Sequence, residues 1–423
     1  MRHFALAAGL ACAIAAPASA ETVTIHAGRL IADPGRPVIG PATITVIDGR
    51  ITAIAEGLAP PAAGTRLIDL SSKTVLPGLI DTHVHLSGDP DDDYRNQAVD
   101  SDEWATLVGA RNARATVRAG FTTVRDLGSG PLVGFALRRA TAEGAIPGPR
   151  ILSSGPAIST IGGHGDVSGF RPEVLAVLGS GNTCTGAEEC AARVREFSRA
   201  GADVIKITAT GGVLSQQARG LGQHFTDAEM KAIVDTAHGL GLKVAAHAHS
   251  ARGIEAAARA GVDSIEHGTF ADGEAIRVMK TNGATLVPTL MAFTGIRERL
   301  GKGIYTPTVE AKVRQTLGEV GKAARAARAA GVPVVFGTDA AVFEHGRNAE
   351  ELALLVEHAG MSPAEAITSA TTAAAHLLGL DSEIGRIAPG YSADIIAVSG
   401  DPLRDVRTLE KVEFVMVRGR TIE

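Results

Sequence analysis

Two histidines, His83 and His85, close an apolar stretch in LIDTHVH. On a β-strand, residues two apart face the same side, so both imidazoles address one site. Alone, such a pair also suits plain structural hydrogen bonding. A second pair, His247 and His249, closes VAAHAH; His267 closes SIEHG and Asp339 closes VVFGTDA. Lys206, in VIKITATGG, sits among Val204, Ile205 and Ile207. An ammonium buried there is costly unless paired or neutralised. Three chemistries answer that cost: a salt bridge, a Schiff-base lysine of low pKa, or reaction with CO2 to a carbamate, an anion that can bridge two cations. The recurrence of such groups at the ends of five separate apolar runs argues against unrelated structural residues and for one shared site.

The elements that must carry these groups read as an alternation of short apolar strands and amphipathic helices. The strands are TVLPGLIDTHVH, FTTVRDL, RILSSGPA, ADVIKITA, LKVAAHAH, SIEHG, TLVPTLM and VPVVFGTDA, with helices such as AEECAARVREFSRAG, DAEMKAIVDTAHGLG and VEAKVRQTLGEVGKAARAARAAG between them. Eight such strands predict an α/β fold, a (β/α)8 TIM barrel over residues 76–383. An open doubly wound sheet is the rival, but no GxGxxG follows the first strand, and the polar groups gather at strand C-terminal ends. Both chain ends, residues 21–75 and 384–423, alternate with turn residues between and predict one composite β-sandwich domain.

Composition narrows the function classes. A chain of 423 residues, 45% hydrophobic with a net charge of −5, can bury a large core and is not disordered. No basic block is present and there are only one Trp and three Tyr, so a nucleic-acid partner is excluded and a small-molecule substrate expected. Met1-Arg2-His3, the apolar run Ala5–Ala16 and Ala18-Ser19-Ala20 predict a signal peptide over residues 1–20, hence a periplasmic or secreted protein. No segment is long and apolar enough for a membrane span. Removal of that leader leaves Cys184 and Cys190, either a small disulfide loop or two buried thiols.

LPGLIDTHVHL, IKITATGGVLS, KVAAHAHS, DSIEHGTF and GTDA together resemble the amidohydrolase superfamily, in its binuclear subtype with a carbamylated lysine. VIKITATGGVLSQQ, the spacing from Lys206 to His247 to His267, and GGHGD at Gly162–Asp166 are similar to its prolidase-like branch of dipeptidases, carboxypeptidases and ochratoxin-degrading amidohydrolases. The resemblance implies one divalent ion on His83, His85 and Asp339, a second on His247 and His267, and the Lys206 carbamate between them. It also implies that His249 contacts substrate, that Asp339 moves the proton, and that the chain forms a homo-oligomer. Zn is the expected metal, with Mn, Co and Fe equally compatible with this ligand set. Two dications against a carbamate, an Asp and a hydroxide leave a positive excess that favours a hydroxide nucleophile.

A leaving group with a free carboxylate needs a cation or N–H donors. His164, Arg219 and the Gly211-Gly212 turn are the candidates, with Val213, Leu214 and Met291 as an apolar wall. The expected reaction is release of a C-terminal amino acid from a dipeptide, an Xaa-Pro substrate or an N-acyl amino acid, ochratoxin A included. A cyclic-amide or imidazolone hydrolase, or a Schiff-base lyase acting through Lys206, are the alternatives.

Overall fold

The computed structural model describes residues 22–91, 94–217 and 220–423. The leader expected over residues 1–20 and the candidate Arg219 lie outside the described residues. The N-terminal strands are β1 (Thr22–Leu30), β2 (Ala42–Ile47), β3 (Arg50–Glu56) and β4 (Arg66–Pro77). Asp48 and Gly49 turn β2 into β3 with φ of 49° and 76°, the left-handed pair that Asp-Gly hairpin turns supply.

The strand expected over residues 74–85 is two strands, broken at Gly78. A Cβ there would lie 2.1 Å from Thr122 Oγ1, so only glycine lets the chain pass from sheet to barrel. Beyond it, β5 (Leu79–Val84), β6 (Phe121–Asp126) and β7 (Arg150–Ser153) form one parallel sheet. A second holds β8 (Val204–Thr208), β9 (Lys243–Ala248), β10 (Ser264–His267) and β11 (Thr285–Val287) in sequence order. Their strands are buried on both faces, as parallel strands under helices must be. Ile158 joins the two sheets on one side, its N–H donating to Lys206 O at 2.8 Å and its carbonyl accepting from Thr208 N at 3.0 Å.

On the other side the eighth run is hydrogen-bonded without forming a regular strand. Leu286 N donates to Pro333 O at 2.9 Å, and His85 N to Ala340 O at 2.9 Å. These bonds bring the eight segments of the predicted (β/α)8 arrangement into one ring. The seventh strand ends early, because Pro288 has no N–H to give and Thr289 turns left-handed (φ 49°) into the helix Leu290–Arg299. The long helix expected over residues 309–331 is two, Pro307–Thr316 and Lys322–Ala330, parted at left-handed Gly321. A Cβ on Gly321 would meet His358 Cβ at 2.3 Å.

The chain ends return to β12 (Ile395–Val398), β13 (Val412–Val417) and β14 (Arg420–Thr421). These join β1–β4 in one seven-stranded sheet, order β14-β13-β12-β4-β1-β2-β3. The sheet curls, since Ile51 in β3 exchanges backbone bonds with Gly390 and Tyr391 just ahead of β12. Ile25, Ile44, Val46, Ile51, Ile395 and Met416 fill the core it encloses. Of the two alternatives for the cysteines, the structure has the disulfide Cys184–Cys190.

Candidate active site

His83 is the penultimate residue of β5, and His85 is the first residue beyond it. Both ring Nε2 atoms point at Asp339 Oδ1, at 3.4 Å and 3.2 Å. Asp339 adopts φ 61° and His267 φ 70°, conformations that cost a non-glycine residue free energy and cluster where function demands a fixed side-chain direction. His247, His249 and His267 form a second group, with His247 and His267 ring centroids 4.7 Å apart. Within each of the two groups, the possible ligand atoms lie within 4.8 Å of one another. Lys206 projects from the middle of β8, its Nζ 3.4 Å from His83 Nε2.

Each imidazole has one nitrogen engaged behind the site. His83 Nδ1 meets Glu266 Oε2 at 2.8 Å, His85 Nδ1 meets Gly128 O at 3.0 Å, and His267 Nδ1 meets Thr289 Oγ1 at 2.7 Å. A carbonyl or carboxylate can only accept, so Nδ1 of His83 and His85 carries the proton and Nε2 offers its lone pair to the centre. His247 is reversed: Nε2 lies 3.3 Å from Gly211 O, which leaves Nδ1 free. This donor set of imidazoles, a carboxylate and a lysine, oriented from behind, fits divalent transition-metal ions.

The electrostatics agree except at His85, where burial is outweighed by the hydrogen bond and charge of Asp339, which hold the imidazole above its ordinary range. Burial first, then the Lys206 charge, pushes His83 down to about 4, and burial pushes His249 down to about 4. His247 and His267 also fall well below the usual range through burial. Neutral imidazoles are the form that ligates. Asp339 is opposed by burial, yet the surrounding histidines hold its carboxyl well below the ordinary range, so it stays ionised. Burial pushes Lys206 down to about 8, and among the described residues it makes no salt bridge, which disfavours the plain ion-paired lysine.

The amidohydrolase family's sequence model matches residues 74–422. The chain belongs to the amidohydrolase family. Within it, the chain is 34% identical to an ochratoxinase of Aspergillus niger, covering 95% of this chain and 86% of that one. It superposes on a Xaa-Pro dipeptidase solved with methionine in its active site, with TM-score 0.88 and 38% identity over 95% of this chain and 100% of the other. A prolidase solved with N-methylphosphonate-L-proline gives TM-score 0.86 and 30% identity over 95% and 99% of the two chains. This amidohydrolase is therefore a hydrolase acting on amide bonds.

The cavity above the histidines has a volume of about 1320 Å³ and takes in both groups, Lys206, His164, Val213 and Leu214. His164 packs against His247 with ring centroids 4.3 Å apart and planes tilted by 38°. Its Nδ1 is buried without a hydrogen-bond partner among the described residues, and burial, with the neighbouring His249, Lys206 and Lys312, pushes it down to about 3. Gly212 lies flat under that ring, where a Cβ would come within 2.2 Å of His164 Nδ1. Met291 does not join the wall: it is 1% exposed, in the core, with its N–H donating to Glu351 at the buried start of its helix. Phe293 and Ile296 of that helix face the cavity instead.

The supporting groups escaped notice in the sequence. Arg125 Nη2 donates to Glu266 Oε1 at 3.0 Å, its Nε to Thr82 O at 2.6 Å and its Nη1 to Ser264 Oγ at 3.2 Å, all fully buried. Burial opposes ionisation of Glu266, but Arg125 and His83 outweigh it and hold the carboxyl well below the usual range. The signal that singles out Lys206, a charge inside a short apolar strand, applies equally to Arg125 in FTTVRDL and Glu266 in SIEHG. His249 also differs in placement, since it lies as close to His247 and His267 as a third ligand of that group would.

Proposed function

We propose that this amidohydrolase releases an amino acid with a free carboxylate from a dipeptide or N-acyl amino acid, Xaa-Pro and aromatic acyl substrates such as ochratoxin A included. The observation that carries the reading is the pair of histidine groups at the floor of a cavity of about 1320 Å³, room for both halves of such a substrate. His83, His85 and Asp339 would hold one divalent ion, His247 and His267 a second, with Lys206 as the carbamate between them. When bound, such ions, Zn or another divalent metal, supply Lewis acidity that activates water near neutral pH and polarises an amide carbonyl.

The chain's own groups do the rest. Asp339 Oδ1 lies against His83 and His85, which leaves Oδ2 to take a proton from water and pass it to the departing amine. His249 Nδ1 lies 2.8 Å from Thr269 Oγ1. With the threonine hydroxyl donating there, the imidazole proton sits on Nε2, from which it can stabilise the oxyanion as charge builds. The unpartnered Nδ1 of His164 supports a role for that residue in holding the leaving carboxylate. Val213 and Leu214 give an apolar wall.

The test is a panel of N-acyl amino acids and dipeptides against their C-terminal amides on metal-loaded protein. A carboxylate-binding group left unpaired costs ~1–3 kcal/mol, so amidation should lower kcat/KM by at least about tenfold. Equal rates would eliminate the carboxylate site. The disulfide and the leader-like N-terminus support export to the periplasm or medium. Export is tested by fractionating cells and by N-terminal sequencing.

A further inference from the structure

Lys312 occupies an unusual place for a lysine. It lies on the helix Pro307–Thr316 and is 7% exposed. Among the described residues its ammonium meets only neutral oxygens of one loop: Gly212 O at 2.8 Å, Ser215 O at 2.6 Å, Gln217 O at 3.4 Å and Ser215 Oγ at 3.5 Å. A buried cation without a counter-ion is costly, and three converging carbonyls offset that cost only while the loop keeps its path. The charge and the loop conformation therefore require each other.

That loop carries much of the cavity wall. Val213 and Leu214 line the cavity and Gly212 seats the His164 ring. Gln217 Nε2 donates to Gly163 O at 3.0 Å, linking the loop to the turn that bears His164. Thr306 Oγ1 donates to Gln216 Oε1 at 2.9 Å, a second tie from the segment around Lys312. The path runs from Lys312 through the loop to the substrate-facing wall, and it stops short of Lys206, His83 and Asp339.

We propose that Lys312 is a positioning residue that ties the Gly212–Gln217 loop to the helix Pro307–Thr316 and thereby sets how tightly the apolar part of the substrate binds. Its effect on substrate choice rests on the amide-hydrolase reading above; the tether itself does not. Lys312 holds the wall, and among the described residues it makes no hydrogen bond to Lys206, His83 or Asp339.

The experiment compares Lys312→Met, similar in length but unable to donate, with Lys312→Arg, which keeps donors and charge. Amide hydrogen exchange over residues 213–217 in Lys312→Met should speed up at least about tenfold, because these amides then open locally without the tether. Bound metal should equal that of the parent. KM for substrates with a bulky apolar group should rise about tenfold with kcat within about twofold, the signature of lost uniform binding. Lys312→Arg should recover at least half of the exchange protection. Parent-like exchange in Lys312→Met overturns the tether, and a fall in kcat at unchanged KM overturns its role in substrate binding. If Lys312→Met does not fold, Lys312→Gln, which offers two neutral donors and no charge, is judged by the same exchange criterion beside Lys312→Arg: it should exchange faster than the arginine variant, and parent-like exchange in Lys312→Gln overturns the tether. If no substrate of the panel is cleaved, exchange still decides the tether, and the loss counts against the amide-hydrolase reading alone.

Discussion

Replacing Glu266 by leucine removes two things at once. Arg125, fully buried, loses its only carboxylate among the described residues, and His83 Nδ1 loses its acceptor. Stripping one partner from a buried ion pair costs about 3–5 kcal/mol, since the other charge stays in the core. A chain of about 400 residues unfolds with roughly 0.8 kcal/mol/K of entropy, so Tm should fall by about 4–6 °C. The second loss is chemical. Without an acceptor at Nδ1, nothing keeps the His83 proton away from Nε2, the nitrogen that faces Asp339 and Lys206. Outer partners of this kind are worth about 10–100-fold in metal affinity, so competition with a chromophoric chelator should show a weakening of that size. Glu266→Gln separates the effects, because its amide oxygen still accepts from His83 while the charge facing Arg125 is gone. It should recover most of the metal affinity and little of the Tm. Parent-like metal affinity in Glu266→Leu would refute the tautomer argument, and an unchanged Tm would refute the ion-pair argument.

Lys206→Ala should cost at least about a hundredfold in kcat, with partial recovery from a short carboxylic acid supplied with metal. Lys206→Arg should not recover, because a guanidinium cannot become an anion; full activity in either variant would dismiss the carbamate. Gly212→Ala drives a Cβ into His164 and should lower kcat/KM at least about tenfold at unchanged metal content, while parent-like turnover would show that ring to be idle. Acid should destabilise the metal-free protein. Burial pushes His83 and His249 down to about 4 and His164 to about 3, whereas unfolded histidines titrate near ~6.5. Their contribution is whole above pH ~6.5 and is lost as the pH falls toward about 4, because the unfolded chain takes up protons the fold refuses. Asp81 and Asp126, both pushed up to about 6 by burial, oppose this by taking protons in the folded state, so their contribution grows as the pH drops. The histidines outnumber them, and Tm of the metal-free protein should decline from pH 6.5 to 4; a Tm that holds or rises over that range would contradict the assignment.

The sequence alone determined which side chains gather. Strand parity sets His83 beside His85 and His247 beside His249, and the burial cost of a lone ammonium marks Lys206, because both rules are local. Helix ends were equally legible where a glycine stops the run, as at Gly201 after Ala187–Ala200. Tertiary structure decided what contacts across the chain impose. Gly78 splits a strand because Thr122, far along the chain, occupies the space of a side chain, and Gly321 parts a helix because His358 does the same. Met291 shares a helix with Phe293 and Ile296 but is buried in the core while they face the cavity, and Glu351, distant in sequence, accepts the N–H groups that start that helix. Which nitrogen of each imidazole is free, the pairing of Arg125 with Glu266, and the grip of Lys312 on a loop about a hundred residues away all depend on partners distant in sequence, and local periodicity carries no information about them.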